Sequence, residues 1–436
     1  MRRRSAIIIL SLLLAWPALL RGQSSGPAAP RNPSKYIGPG SCSASACHGG
    51  VAPAKNSRIL QNEFSTWVVQ DKHAQAYDAL QNPVARRMGT ILGIGNPASE
   101  TKCLACHALA PSKLERGREF EINEGVSCES CHGPSSAWLG PHTTRGWSSK
   151  QSLALGMYNT EDLISRAEKC ATCHVGSKER SVDHEMIAAG HPDLIFELDA
   201  FSAVMPPHWK APADPFSGVK SWSVGQAVQL QQTLQRLQTR VESAAWPEYS
   251  ELECFSCHHS LVRPENSWRQ KAGYGDRPPG SPPLNPSHFV IFRSLVHEVD
   301  PESGKRLESQ LTDLYRLTSQ TKSDRTAIAK SAAAAAKTSG DLAQRLNGMK
   351  FDRATTLRLS RSITEDSTGI SNQGPRAAEQ AAMALESFAA ASENAGSKMP
   401  ESRAAIRALF KLLDNPSNYS APQFAEQMKK VGATLR

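Results

Sequence analysis

The apolar positions in the last third of the chain follow a helical period. They fall into four groups spaced mostly by three or four residues: Leu307, Leu311, Leu314 and Leu317; Ala381, Leu385 and Phe388; Ile406, Leu409, Phe410 and Leu413; and Phe424, Met428 and Val431. This spacing places each group on one face of an α-helix. Ser420-Ala-Pro-Gln423 has the form of a capping box at the start of the last helix. Residues 298–436 are therefore predicted to form a helical bundle, in which the alanine run 332–336 fits a helix but has little side chain to bury.

The pattern before residue 298 is less regular. Residues 63–80 and 224–244 have helical spacing, the second with Leu230, Leu234 and Leu237 on one face. The proline-rich stretches 210–217 and 277–286 predict loops, and no segment shows the alternation typical of a strand. The fold class predicted from the whole chain is mainly α.

The N-terminus has the features of an export signal. A basic Met1-Arg-Arg-Arg4 is followed by the apolar run 6–20 and then by small residues at 22–24, which predicts a cleaved signal peptide over 1–24. An uncleaved N-terminal anchor is the alternative, although the apolar run is short for one. Residues 25–40, rich in Pro, Gly and Ser, read as a flexible lead-in. No later segment is apolar enough to span a membrane, so we expect an exported, periplasmic or otherwise extracytoplasmic protein.

All ten cysteines fall into five units in which a histidine directly follows the second cysteine. Four units have the form CxxCH, and the first has four residues between its cysteines. The units are Cys42, Cys47, His48; Cys103, Cys106, His107; Cys128, Cys131, His132; Cys170, Cys173, His174; and Cys254, Cys257, His258. Two thiols can add across the vinyl groups of a haem, and the adjacent imidazole can bind its iron.

Disulfides and zinc ribbons are the alternatives for paired cysteines in an exported chain. Neither predicts a histidine after every second cysteine. Five haem c groups are therefore expected, each with a motif histidine as proximal ligand, and a mass excess of only four haems would identify the longer Cys42–Cys47 unit as the one that fails.

Eight other histidines are available as sixth ligands, which favours bis-His ligation over methionine. His73 is predicted to project from the helix after Trp67, and His142 to reach a neighbouring haem. His184 and His191 are seven residues apart, two helical turns, and so could face two irons from one helix. His208 is a further candidate ligand. His259, His288 and His297 are expected to contact a propionate or to face solvent.

Composition divides the chain in two. Every cysteine, histidine and tryptophan of the mature chain lies before residue 298, which predicts a pentahaem cytochrome c domain over 41–297 and a helical domain over 298–436. Removing the four signal-segment arginines from the formal charge of +9 leaves +5, and ten haem propionates would offset this. The basic pI therefore does not indicate nucleic-acid binding.

Two segments carry a resemblance to a known family. Trp67 and His73, together with the segment 125–142 that holds the third motif and His142, resemble the multihaem cytochromes typified by the tetrahaem cytochrome c that accepts electrons from hydroxylamine oxidoreductase. The resemblance covers residues 36–175. It implies a mostly helical fold around closely stacked, mainly bis-His haems, periplasmic electron transfer, and one haem without a sixth ligand in the type member. The first motif, the fifth motif and the C-terminal region depart from that pattern.

Three functions follow as hypotheses. The favoured one is a non-catalytic electron carrier between periplasmic or membrane-bound redox proteins. The second is a haem enzyme acting on a small nitrogen or sulfur oxide at one open haem; no CxxCK unit is present, which argues against a pentahaem nitrite reductase. The third is a self-associating, wire-like assembly in which a spare histidine ligates a haem of the next subunit.

Overall fold

The computed structural model describes residues 34–57, 59–244, 246–258, 283–285, 287–320 and 322–435. Within these ranges the chain is mainly α-helical and forms no strand, as predicted; the only β pairings there are two isolated bridges, Tyr36 with Arg116 and Leu252 with Leu284. The predicted signal peptide lies outside the described residues.

Short helices joined by turns make up the first half. They are α1 (Glu63–Gln70), α2 (Pro83–Ile91), α3 (Thr101–His107), α4 (Cys128–His132), α5 (Ser149–Ala154), α6 (Leu163–His174), α7 (His184–Ala188) and α8 (Leu198–Val204).

Longer helices follow. They are α9 (Ser217–Glu242), α10 (Ser287–Val299), α11 (Pro301–Thr318), α12 (Arg325–Gly348), α13 (Arg353–Glu365), α14 (Ser367–Ser371), α15 (Pro375–Asn394), α16 (Pro400–Lys411) and α17 (Ala421–Ala433). The four apolar groups that predict helices at the C-terminus fall in α11, α15, α16 with the turn after it, and α17. Ser420 is the N-cap of α17, but its side chain makes no capping hydrogen bond, so the predicted capping box does not form.

Helix α9 is the centre of the main hydrophobic core. It packs against α6, α8, α10 and α15, and its largest interface is with α12. Leu230, Leu234 and Leu237 are buried as predicted, and Trp222 is fully buried edge-on against Phe388 of α15, with 4.7 Å between ring centroids.

The alanine run of α12 contributes more to this core than its sequence indicates. Ala332, Ala335 and Ala336 are buried, and a Cβ on Gly340 would lie 2.6 Å from the side chain of Gln231 in α9. The expectation that the run has little to bury is therefore wrong. Small side chains let the two helix backbones approach each other, so each alanine buries the surface of its neighbour.

The apolar core is unevenly distributed along the chain. The main cluster extends from Ile164 to Val431 and crosses residue 297, where composition divides the sequence. Before Ile164 the only other cluster of buried apolar residues within the described ranges consists of Leu80, Ala98, Leu104 and Ala108. The division at 297/298 stays a prediction, and the apolar core itself does not divide there.

Two predicted helices are shorter than expected. Helix α1 stops at Gln70 because Asp71 adopts an extended conformation, and its carboxylate accepts the backbone N–H of His73. Helix α7 stops at Ala188, and Gly190 turns the chain with φ +114° before His191. The prediction that His73 lies on a helix is therefore wrong, and so is the prediction that His184 and His191 share one.

Candidate haem-binding site

Three of the five motifs are helical and end their helices. Their final histidines, His107, His132 and His174, are the last residues of α3, α4 and α6. Helical geometry brings residues i, i+3 and i+4 to one side, so both thiols and the imidazole of each motif face the same space. In the first motif, Cys42 is the last residue of a short 3-10 helix, Pro39–Cys42. In the fifth motif, Cys254 is the first residue of another, Cys254–Ser256.

Four motif histidines each lie opposite a histidine from a distant part of the chain. The distances between ring centroids are 6.4 Å for His48 and His142, 6.3 Å for His107 and His191, 6.0 Å for His174 and His73, and 6.1 Å for His258 and His184. No two of these pairs share a residue.

These distances fit an iron between the two rings. Imidazole binds transition metals at about 2 Å from its nitrogen, so two imidazoles on opposite sides of one ion have centroids about 6 Å apart. The residues present therefore fit a haem c with two axial histidines at four of the five motifs.

Hydrogen bonds at Nδ1 orient five of the paired imidazoles and leave Nε2 available. Glu63 lies 2.9 Å from His48 Nδ1 and Asp71 lies 3.0 Å from His73 Nδ1. At the other three histidines Nδ1 pairs with a backbone carbonyl oxygen, which belongs to Ala76 for His107, to Leu139 for His142 and to Pro192 for His191. A hydrogen-bond partner at Nδ1 fixes the ring orientation and the tautomer of a histidine that binds a metal through Nε2.

The environment also shifts the protonation of these rings. The hydrogen bond that His48 makes to the Glu63 carboxylate raises the pKa of His48. The hydrogen bond that His73 makes to Asp71 raises the pKa of His73. Burial lowers the pKa of His174 to about 4, and its ring is stacked on Phe196 with 5.2 Å between centroids. The neutral imidazole, which is the form that binds a metal, is therefore favoured at His174.

His132 and His208 are the two predicted ligands without a facing ring among the described residues. Their Nδ1 atoms are both buried and have no hydrogen-bond partner. Burial lowers the pKa of His132 to about 4, and the charge of His208 is the next largest cause. The two side chains are therefore close enough to interact electrostatically.

Cysteines from different motifs meet in the same region. Cys128 lowers the pKa of the Cys42 thiol, and Cys173 raises that of the Cys106 thiol, so the side chains of each pair are neighbours. None of the ten cysteines forms a disulfide, and the described residues contain no group of three or more metal-binding side chains of the kind a zinc site needs.

The third motif is anchored by its own acidic residue. Glu129 is 2% exposed and accepts hydrogen bonds from the backbone of Ile37, Gly38 and Ser135 and from the Ser135 hydroxyl. Residues 34–38, at the end of the predicted lead-in, are thus fixed against this motif.

Asp71, Glu63 and Glu129 are site residues that the sequence analysis missed. The sequence feature that could have identified them is an acidic residue close to a candidate ligand or motif. Asp71 is two positions before His73, Glu63 is at the start of α1, and Glu129 lies between the cysteines of the third motif.

The remaining histidines differ in their surroundings. His288 is buried, and its Nδ1 pairs with Gln229 Oε1 at 3.1 Å, so the expectation that it faces solvent is wrong, while contact with a propionate stays a prediction. His297 is partly exposed and uses Nε2 to contact Glu308 at 3.0 Å. His259 lies outside the described residues.

Comparison with known proteins yields one match. Residues 42–133, which contain the first three motifs, match the family described as cytochrome c554 and c-prime. No curated protein and no solved structure matches the chain. The match supports a multihaem c-type cytochrome that takes part in electron transfer, and with it haem c as the cofactor. No helix in the described ranges combines the length and apolarity needed to cross a bilayer.

Proposed function

We propose that this chain is an exported, periplasmic electron carrier with five covalently attached haem c groups and mostly bis-His ligation. The observation that carries the proposal is the set of four facing histidine pairs at 6.0–6.4 Å. Haem iron supplies one-electron chemistry, and its axial ligands set the potential. The chain's contribution is to attach the macrocycles, occupy both axial positions and fix their spacing.

The proposed proximal ligands are the five motif histidines, and the ten motif cysteines form the covalent links. The proposed distal ligands are His142 for the first motif, His191 for the second, His73 for the fourth and His184 for the fifth. His208 is the remaining candidate and His132 the remaining motif histidine, so we assign His208 to the third site. The effect of the His208 charge on the pKa of His132, and the buried, unbonded Nδ1 atoms of both residues, support this assignment.

The contacts among the motifs support a linear order of sites. Thiol contacts join the first motif to the third and the second to the fourth. The charge of Cys173 acts on Cys131, which links the third to the fourth. His191 and His184 belong to one short segment, which links the second to the fifth. The proposed order is first, third, fourth, second, fifth.

A carrier needs closed sites, because an iron with two protein ligands exchanges electrons without binding substrate. Partners are therefore proposed to be periplasmic or membrane-bound redox proteins. Export by the N-terminal segment 1–24 is part of this proposal, and a leader of that kind would deliver the chain to the compartment where such partners occur.

Mass and spin state test the proposal together. The purified protein should exceed the mass of the mature polypeptide by five haems, and the oxidised form should give low-spin paramagnetic-resonance signals. Replacing His208 with Ala should make one haem high-spin and leave the mass excess unchanged, whereas His297→Ala, the matched control, should change neither. A low-spin spectrum in His208→Ala would contradict the assignment of His208.

His132 has no facing ring within the part of the chain that the structure describes, and this favours one second candidate, an enzyme that binds a small nitrogen or sulfur oxide at the third site. In that case the unmodified protein should already contain one high-spin ferric haem whose signal shifts with nitric oxide, nitrite or hydroxylamine. A wholly low-spin protein that does not respond to these ligands would exclude this candidate.

A further inference from the structure

Arg376, at the start of α15, connects the C-terminal helices to two candidate haem sites. The side chain is 6% exposed. Its Nε forms an ion pair with Asp193, and its Nη1 donates to the backbone oxygen of Leu252 at 3.1 Å. Asp193 lies two residues after His191, and Leu252 lies two residues before Cys254. One guanidinium therefore bridges the segment of a second-site ligand and the segment of the fifth motif.

Two arginines of α9 contact the segment of the fifth motif and the segment that carries His184. Arg236 forms a two-pronged ion pair with Glu251, with both N–O distances 2.8 Å, and Arg240 Nη1 lies 2.7 Å from Glu251 Oε1. Arg240 also donates to the backbone oxygen of Val182, two residues before His184. Glu251 is 3% exposed, so this charge network is inside the protein.

A third contact extends the network to the second motif. Lys102, next to Cys103, forms an ion pair with Asp183, next to His184. All four segments of the second and fifth sites, which carry Cys103, His184, His191 and Cys254, are thus flanked by ion pairs. The other three sites are not joined to α15 by any ion pair among the described residues.

We propose that Arg376 is a positioning residue that fixes the second and fifth haem sites relative to each other, and that this is a redox role of the C-terminal helical region. The inference rests on the ligand assignments of the proposed function. It depends on the shape of arginine, because a planar guanidinium donates in two directions at once and the single ammonium of lysine does not reproduce that geometry. Buried ion pairs often add little stability over apolar replacements, so global stability alone does not account for this arrangement.

The test compares Arg376→Lys, which keeps the charge and removes the bridging geometry, with Arg376→Met, which removes both. Haem content by mass, resolved low-spin paramagnetic-resonance signals and redox titration are measured for each holoprotein. Arg376→Lys should retain five haems, shift the signals and midpoint potentials of two haems, and leave those of the other three unchanged. Arg403→Lys is the matched control, because Arg403 pairs with Glu386 and Glu393 within the C-terminal helices, and it should shift none.

The outcomes separate this inference from the proposed function. An Arg376→Lys protein with wild-type signals and potentials would overturn the positioning role, and a shift confined to Arg376→Met would assign the effect to charge. Because Lys is a conservative change, the test does not depend on the Met variant folding. A wild-type protein without five haems or without bis-His signals would instead refute the proposed function itself.

Discussion

Single acidic residues determine how the candidate ligands are presented. Asp71 ends α1 and orients the imidazole of His73. Glu63, in the first turn of α1, orients the imidazole of His48. In both cases a carboxylate pairs with Nδ1, which leaves Nε2 available as a ligand atom. The ligand geometry is therefore set by residues outside the attachment motifs.

His288 should make stability depend on acid pH. It is 5% exposed, and burial together with the charges of Arg236 and Arg376 lowers its pKa to about 3. Because the pKa in the unfolded chain is higher, at about 6.5, the free energy of unfolding should fall as the pH drops from 6.5 towards 3. His288→Asn keeps a side-chain donor for Gln229 but does not titrate. Its free energy of unfolding should therefore not show this fall between pH 6.5 and 3, which amounts to a few kcal/mol in the wild type. Denaturant unfolding at a series of pH values measures it; equal slopes in both proteins would contradict the prediction.

Glu197 should have the opposite effect. Its carboxylate is fully buried at the N-cap of α8, where it accepts the backbone N–H groups of Asp199 and Ala200, and burial with the Asp199 charge raises its pKa to about 8. A raised pKa means that this contribution to stability is present below about pH 4.5 and is lost as the pH rises to 8. Glu197→Gln should flatten this part of the pH profile. The exposed Glu185→Gln is the control and should leave the profile unchanged; a Glu197→Gln profile that follows the wild type would rule the effect out.

At the residue scale the sequence is most informative where the chemistry is local. The histidine that follows each second cysteine marks a motif without any structural information. The end of α1 at Gln70 depended on a carboxylate that competes for the backbone N–H of His73, and helical spacing across residues 63–80 does not contain that information. The partner of each motif histidine depends on contacts between distant segments, which one sequence does not specify.

At the scale of elements, the interface between α9 and α12 depends on small side chains. Ala335 of α12 is fully buried, whereas Ala334, the preceding residue of the same helix, is exposed. The sequence predicts the helix from the alanine run, but a run of identical residues does not reveal which of them face a partner. This is why the helix was predictable and its packing was not.

Enlarging Ala335 should therefore separate the two faces of α12. Ala335→Leu would force extra carbons into a close helix contact and should destabilise the protein by about 1–3 kcal/mol. Ala334→Leu adds the same atoms on the exposed face and should change stability by less than about 0.5 kcal/mol. Chemical denaturation of both variants provides the comparison, and similar losses of stability in the two would show that α12 does not pack on α9 through this face.

At the scale of the whole molecule, the chain before Ile164 has little apolar core of its own. Four buried residues form its only cluster within the described ranges, whereas the cluster that begins at Ile164 extends to Val431. Three of the five motifs lie before the start of that larger cluster. The apolar surface of the macrocycles would supply burial that the side chains of this part do not.

A haem-free chain should accordingly be protected in its second part only. When the protein is produced without haem attachment, limited proteolysis should degrade residues before about 160 first and leave a resistant fragment that ends near residue 435. Mass spectrometry of the fragments tests this, with the holoprotein under the same conditions as the control. Equal protection of both parts in the haem-free chain would show that the first part folds without haem.

The facing histidines are far apart along the chain, and this affects the order of assembly during export. If the chain is exported as proposed, it would cross the membrane from its N-terminus, and a site would be complete only when the later of its two histidines has emerged. On the proposed pairing, His48 waits for His142 and His107 waits for His191, while His174 finds His73 already present. The sites would close in the order first, fourth, second, third, fifth, and maturation would not follow the order in which the attachment motifs are synthesised.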